Sequence, residues 1–165
     1  MVCGGCCVNP ALFSSAKSEW ATPQWLFDAL HARFGFTLDV CATHDNAKLP
    51  RYFSPADDGL SQSWHGERCY CNPPYGRQIA LWVAKARQEA TGGALVVGLL
   101  PARTDAKWWQ ENVRSHAEVH FIAGRLKFGN ADNSAPFPSA IAVWTGLEFL
   151  YAPKNRSQQK NQELE

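Results

Sequence analysis

The 165-residue chain has no apolar run of membrane-spanning length, and its N-terminus lacks the charged-then-apolar pattern of a secretory signal. The expected location is therefore the cytoplasm, with no membrane partner. Charge is also scarce: 19% of residues are charged and the net charge is +1, which gives no global pull towards nucleic acid. Any DNA-binding surface has to be a local patch of Lys and Arg. Cys3-Gly4-Gly5-Cys6-Cys7 contains a C-x-x-C spacing, but no second Cys/His pair of suitable spacing stands nearby, so no metal is expected. Cys69 and Cys71 alternate on one predicted strand and Cys41 follows another, the habit of small buried hydrophobes, so free thiols are expected. There is no internal repeat, and the length suits one domain with a real core.

What the chain does have is Cys69-Tyr70-Cys71-Asn72-Pro73-Pro74-Tyr75-Gly76. Cys69 to Cys71 read as a short buried strand, and two prolines then end the ladder because neither has an N–H to donate. The rigid corner lets the Asn72 side-chain oxygen and the Pro73 carbonyl point into one small volume, with Tyr75 supplying a flat ring beside them. Two acceptors and a ring suit a planar heterocycle or amide bearing an –NH2. The lone pair of such an amine is delocalised, and hydrogen bonds from its two protons to fixed acceptors push the nitrogen towards a tetrahedral, nucleophilic shape. Positioning and charge stabilisation suffice, without a general base or metal.

Alternating strands and helices argue for an α/β, Rossmann-like fold, a central and mostly parallel sheet flanked by helices. Residues 1–17 read as a flexible leader, 18–152 as the catalytic domain and 153–165 as a disordered polar tail. Thr22 is an N-cap candidate with Pro23 at the first helical position, opening a helix over 24–33 with Trp25, Leu26, Ala29 and Leu30 inward; Gly35 ends it. Phe36 to Ala42 form the first strand, which places Asp39 near the end where ligands gather in open parallel sheets. Residues 43–64 form a long polar loop, in which Asp57 or Asp58 is placed to accept a hydrogen bond and Trp64 docks the loop on the core. A helix follows over 79–90, with Trp82, Val83, Ala86 and Ala90 inward and Lys85, Arg87 and Glu89 mostly outward. Residues 94–100 form a strand covered on both faces. A second helix runs through Lys107, Trp108, Trp109 and Val113. Strands are expected over 118–122 and 140–144, with 124–129 a turn and return and 130–138 a loop.

Thr22-Pro23, Asp39 to Ala42, Asp58-Gly59-Leu60, Asn72 to Tyr75, Leu100 to Thr104 and Gly124-Arg125-Leu126 with Phe128 stand in one order that resembles the phage-type, Dam-like DNA N6-adenine methyltransferases of bacteriophages and prophages. The likeness runs from about Glu19 to Trp144. It implies S-adenosylmethionine as cofactor and double-stranded DNA as partner. Asn72, Pro73, Pro74 and Tyr75 match the catalytic motif. Thr22, Pro23, Asp39, Ala42 and Asp58 fall where the cofactor binds, and Phe128 is either a second wall for a flipped base or a core aromatic. Arg77, Arg103, Lys107 and Arg125 are candidates for phosphate contacts. One departure is that Asp39-Val40-Cys41-Ala42 carries no glycine where many enzymes using this cofactor have a glycine-rich turn. No inserted recognition domain is visible, so the loops 43–64 and 130–138, or a partner subunit, are left to read sequence. The same motif also occurs in enzymes that methylate RNA bases or protein glutamine amides, and a silent nucleic-acid-binding remnant is the reading from another class.

Overall fold

Pro23 starts the first helix. It has no N–H to leave unsatisfied, and its carbonyl accepts the amides of Leu26 and Phe27. The computed structural model, which describes residues 20–129 and 133–146, places α1 at Gln24–Phe34 and ends it on Gly35, whose φ of 60° is the left-handed conformation glycine tolerates best. Thr22 is not the N-cap. Pro23 holds that position, with ψ 136° and no side-chain cap, while the Thr22 hydroxyl lies 2.5 Å from the Tyr70 hydroxyl. A buried phenol loses more by lacking a partner than a solvated helix end does. The inward stripe also differs from expectation: Leu26 and Phe27 are buried, whereas Trp25 is 63% exposed and Ala29 is exposed. Phe27 wins the inner position because Phe36 and Tyr70 offer it ring contacts at 5.8 and 5.2 Å.

The sheet has five strands in the order β1-β2-β3-β5-β4, with β1 Leu38–Asp39, β2 Arg68–Cys71, β3 Leu95–Pro101, β4 Glu118–Phe121 and β5 Ser139–Trp144. β1, β2 and β3 are parallel, and β5 runs antiparallel to both β3 and β4, so four strands share one direction and β5 alone is inverted. This is the expected α/β architecture. Helices α2 (Ile79–Thr91) and α3 (Lys107–Asn112) lie on one face with Cys69, Cys71, Val96 and Leu100, while α1 covers the other with Tyr70, Val97 and Leu99. The period-2 alternation of β2 and β3 thus feeds two cores. Gly98 makes room for the Trp144 ring, which a Cβ there would approach to 3.0 Å.

Three further expectations need correction. The strand expected over 36–42 narrows to β1, because beyond Asp39 the chain pairs with the loop: the Phe53 amide donates to the Asp39 carbonyl and the Ala42 amide to the Phe53 carbonyl. Lys85 and Glu89 are not outward; they pair at 2.5 Å with side chains 16% and 12% exposed, and Glu89 also accepts the Trp64 amide. Trp64 itself is fully buried, its indole N–H donating to the Gly59 carbonyl, so it docks the loop as expected. Residues 124–129 form no return strand. Leu126 and Phe128 are buried between exposed Arg125 and Lys127, and the segment is tied by the Gly129 amide to the Ala21 carbonyl and the Ala135 amide to Leu126. The Cys3 to Cys7 cluster, the expected leader and tail, and residues 130–132 lie outside the described residues.

Candidate active site

A cavity of about 290 Å³ opens where β1 and β2 end. Its wall includes Thr22, Asp39, Ala42, Asp58, Asn72, Pro73 and Pro74, so most of the residues singled out from sequence meet there. Pro23, Tyr75, Phe128, Arg103 and Arg125 stand outside that wall.

Asn72 follows directly on β2, whose last residue is held in register by Gly98 of β3. Its Nδ2 donates to the Trp20 carbonyl at 2.5 Å and to the Thr22 Oγ1 at 3.1 Å. A carbonyl only accepts, so this contact fixes which end of the amide is nitrogen. Asn72 Oδ1 is then left buried without a hydrogen-bond partner among the described residues. Leaving such an acceptor unpaired costs roughly 1–3 kcal/mol, a cost that a donor from a bound molecule would remove.

Asp39 is 2% exposed. Its Oδ1 accepts the Cys41 amide at 3.4 Å and its Oδ2 the Lys48 amide at 3.1 Å. Burial pushes the carboxyl up to about 6, with the amides of Lys48 and Cys41 and the Lys48 charge opposing. Asp58 is exposed on the cavity rim and adopts φ 50°, an uncommon left-handed backbone for a residue other than glycine. Gly59 beside it cannot carry a side chain, because a Cβ would lie 2.3 Å from the Val40 carbonyl oxygen. Asp57 is committed elsewhere: it accepts the Ser54 amide at 2.8 Å and hydroxyl at 2.6 Å, and those bonds hold its carboxyl below the usual range. Of the two neighbouring carboxylates, Asp58 is the one on the cavity.

Tyr75 donates its hydroxyl to the Leu99 carbonyl at 3.1 Å, and burial holds its proton on well above the ordinary phenol range. Its ring meets Phe137 at 5.4 Å and Phe128 at 6.1 Å, both edge to face. Phe128 is 3% exposed and packs in the core on the α1 side, which makes it the aromatic behind Tyr75 rather than an open wall. Arg103 and Arg125 are exposed.

Sequence reasoning missed Trp20, Asn46, Lys48, Phe53 and Tyr70 as cavity residues. Asn46 and Lys48 lie in the polar loop with no local signal of their own, and Tyr70 carries the signal of any buried strand aromatic. A family model described as DNA N-6-adenine-methyltransferase (Dam) matches residues 11–155. The chain belongs to this Dam family. A DNA N-6-adenine-methyltransferase of Haemophilus phage HP1 (strain HP1c1) is 33% identical over 119 residues, covering 70% of this chain and 69% of that protein. YfdM of Escherichia coli (strain K12) is 35% identical over 65 residues, which is 34% of this chain and 70% of YfdM. This Dam-family chain is a DNA adenine methyltransferase, so its reactants are a methyl donor and DNA. Among the described residues, no helix is long and apolar enough to cross a membrane.

Proposed function

We propose that this enzyme transfers a methyl group from S-adenosylmethionine to N6 of an adenine flipped out of double-stranded DNA, in the cytoplasm of a bacterial host. The observation that carries the proposal is the Asn72 Oδ1, a buried acceptor with no donor among the described residues, on the wall of a cavity at the end of the parallel strands. The wall fits the cofactor. Asp39 and Asp58 are anionic partners for hydroxyls or an ammonium, and Phe53, Leu60 and Trp82 offer apolar surface. Ala42 keeps the turn after β1 small in place of glycine. Asp39, Ala42 and Asp58 would hold the cofactor, with Thr22 beside them on the wall and Pro23 just behind at the start of α1. Bound there, S-adenosylmethionine supplies an electrophilic methyl carried on a sulfonium.

The chain's own residues do the rest. Asn72 Oδ1 and the Pro73 carbonyl each accept one proton of the adenine amine, drawing its lone pair out of conjugation and stabilising the positive charge that grows on N6. Pro74 fixes the corner that aims both oxygens. Tyr75, anchored through its hydroxyl to β3, gives the flipped base a ring to stack on, with Phe128 behind it. Flipping costs a few kcal/mol in lost stacking and pairing, and these contacts offset it. Arg77, Arg103 and Arg125 are exposed on segments that follow β2, β3 and β4, strands of one direction, so all three leave the sheet at the end where the cavity opens. They are the phosphate contacts of the proposal.

Asn72→Ala tests it: calorimetry with S-adenosylmethionine should give a wild-type Kd while N6-methyladenine formation on duplex DNA disappears. Near-normal turnover in that variant would overturn the assignment.

A further inference from the structure

Taking Asn72 as the acceptor for the adenine amine, we propose that Thr22 and Tyr70 are positioning residues that fix the orientation of its amide. Both protons of Asn72 Nδ2 are used, one by the Trp20 carbonyl and one by the Thr22 hydroxyl oxygen. Thr22 is in turn held by the Tyr70 hydroxyl at 2.5 Å. Tyr70 cannot move: it is 1% exposed, lies in β2 opposite Asp39 and Val97, and has the rings of Phe27 and Phe36 at 5.2 and 5.3 Å. Rigidity therefore passes from the sheet core through a phenol and a threonine to the amide, whose oxygen faces no donor among the described residues.

Stability alone would not select this arrangement. Asn72 Oδ1 goes without a donor among the described residues although its Nδ2 has two partners. A buried acceptor left unpaired is a local loss of the kind found where structure serves a site rather than a fold. The network also moves Thr22 from contacting cofactor to orienting the amide, because its hydroxyl already has two partners.

Tyr70→Phe, Thr22→Val and Thr22→Ser would be compared with wild type in single-turnover methylation, with cofactor Kd measured separately by calorimetry. Losing one neutral hydrogen bond in the network should slow Tyr70→Phe about tenfold; Thr22→Val, which strands both the amide proton and the phenol, should slow by about a hundredfold. Cofactor Kd should stay within about twofold, and Thr22→Ser, which keeps the hydroxyl, should recover most of the rate. Wild-type rates in Tyr70→Phe and Thr22→Val would overturn the proposal, as would a loss confined to cofactor Kd. Should both variants fail to fold, the wild-type protein still decides: Asn72 side-chain amide protons that exchange slowly in ¹⁵N spectra support the clamp, and exchange at the rate of free asparagine overturns it. Failure of the underlying reading looks different, since then Asn72→Ala itself would keep its activity.

Discussion

Two side chains at neighbouring strand ends, Asn72 and Asp39, show how one buried oxygen acquires a task and another a titration. Both oxygens of Asp39 are engaged by backbone amides, and burial keeps its proton on up to about pH 6, against 3.8 for a free carboxyl. The folded state then holds more protons than the unfolded chain between about pH 4 and pH 6, so stability falls as pH rises through that window. Relative to Asp39→Asn, wild type should lose stability on the order of 3 kcal/mol at most from pH 4 to pH 7, read from urea unfolding at each pH. Cofactor affinity should move the opposite way, strengthening as pH rises through about 6, because the carboxylate is the better acceptor; a flat Kd from pH 5 to pH 8 would count against a cofactor role for Asp39. At position 72 a carboxylate should fail. Asn72→Asp would set an acceptor oxygen where Nδ2 now lies 2.5 Å from the Trp20 carbonyl, and we expect a rate at least about tenfold lower in single-turnover assays.

Among the elements, α2 and β3 were legible because each has one strong period and a clear stop: a 3.6-residue stripe ending at Gly92, and an unbroken apolar run ending at Pro101. The corner after β2 was legible for the same kind of local reason, since two prolines forbid any other course. β1 was overread, because its apolar continuation through Val40 and Ala42 is buried by loop pairing with Phe53 rather than by a further strand. The stripe of α1 was misjudged by one position, since only tertiary contact tells which of Trp25 and Phe27 finds rings to pack on. Thr22, Tyr70 and Lys48 joined the site through contacts 9 to 50 residues apart, beyond the reach of any local pattern. Gly59 offers a test of how closely loop and strand are fitted. Gly59→Ala would drive a methyl group into the Val40 carbonyl and against Trp82 and Phe53, so a destabilisation of about 1–3 kcal/mol in denaturant melts is expected, with weakened cofactor binding.

Taken whole, the molecule has little net charge to draw DNA in, and the basic residues that could do so hang from one end of the sheet. Removing Arg103 and Arg125 together should reduce the slope of log affinity for duplex DNA against log salt by about 2, while leaving cofactor Kd unchanged; an unaltered slope would remove them from the DNA contact. The inverted strand β5 sets a different constraint. Every residue of it is buried, and it supplies hydrogen bonds to both β3 and β4, yet it is separated from β3 by the whole of α3 and β4 along the chain. A polypeptide emerging from the ribosome would therefore present the naked flank of β3 until residues 139–144 arrive, a period in which that edge is open to pairing with a neighbouring chain.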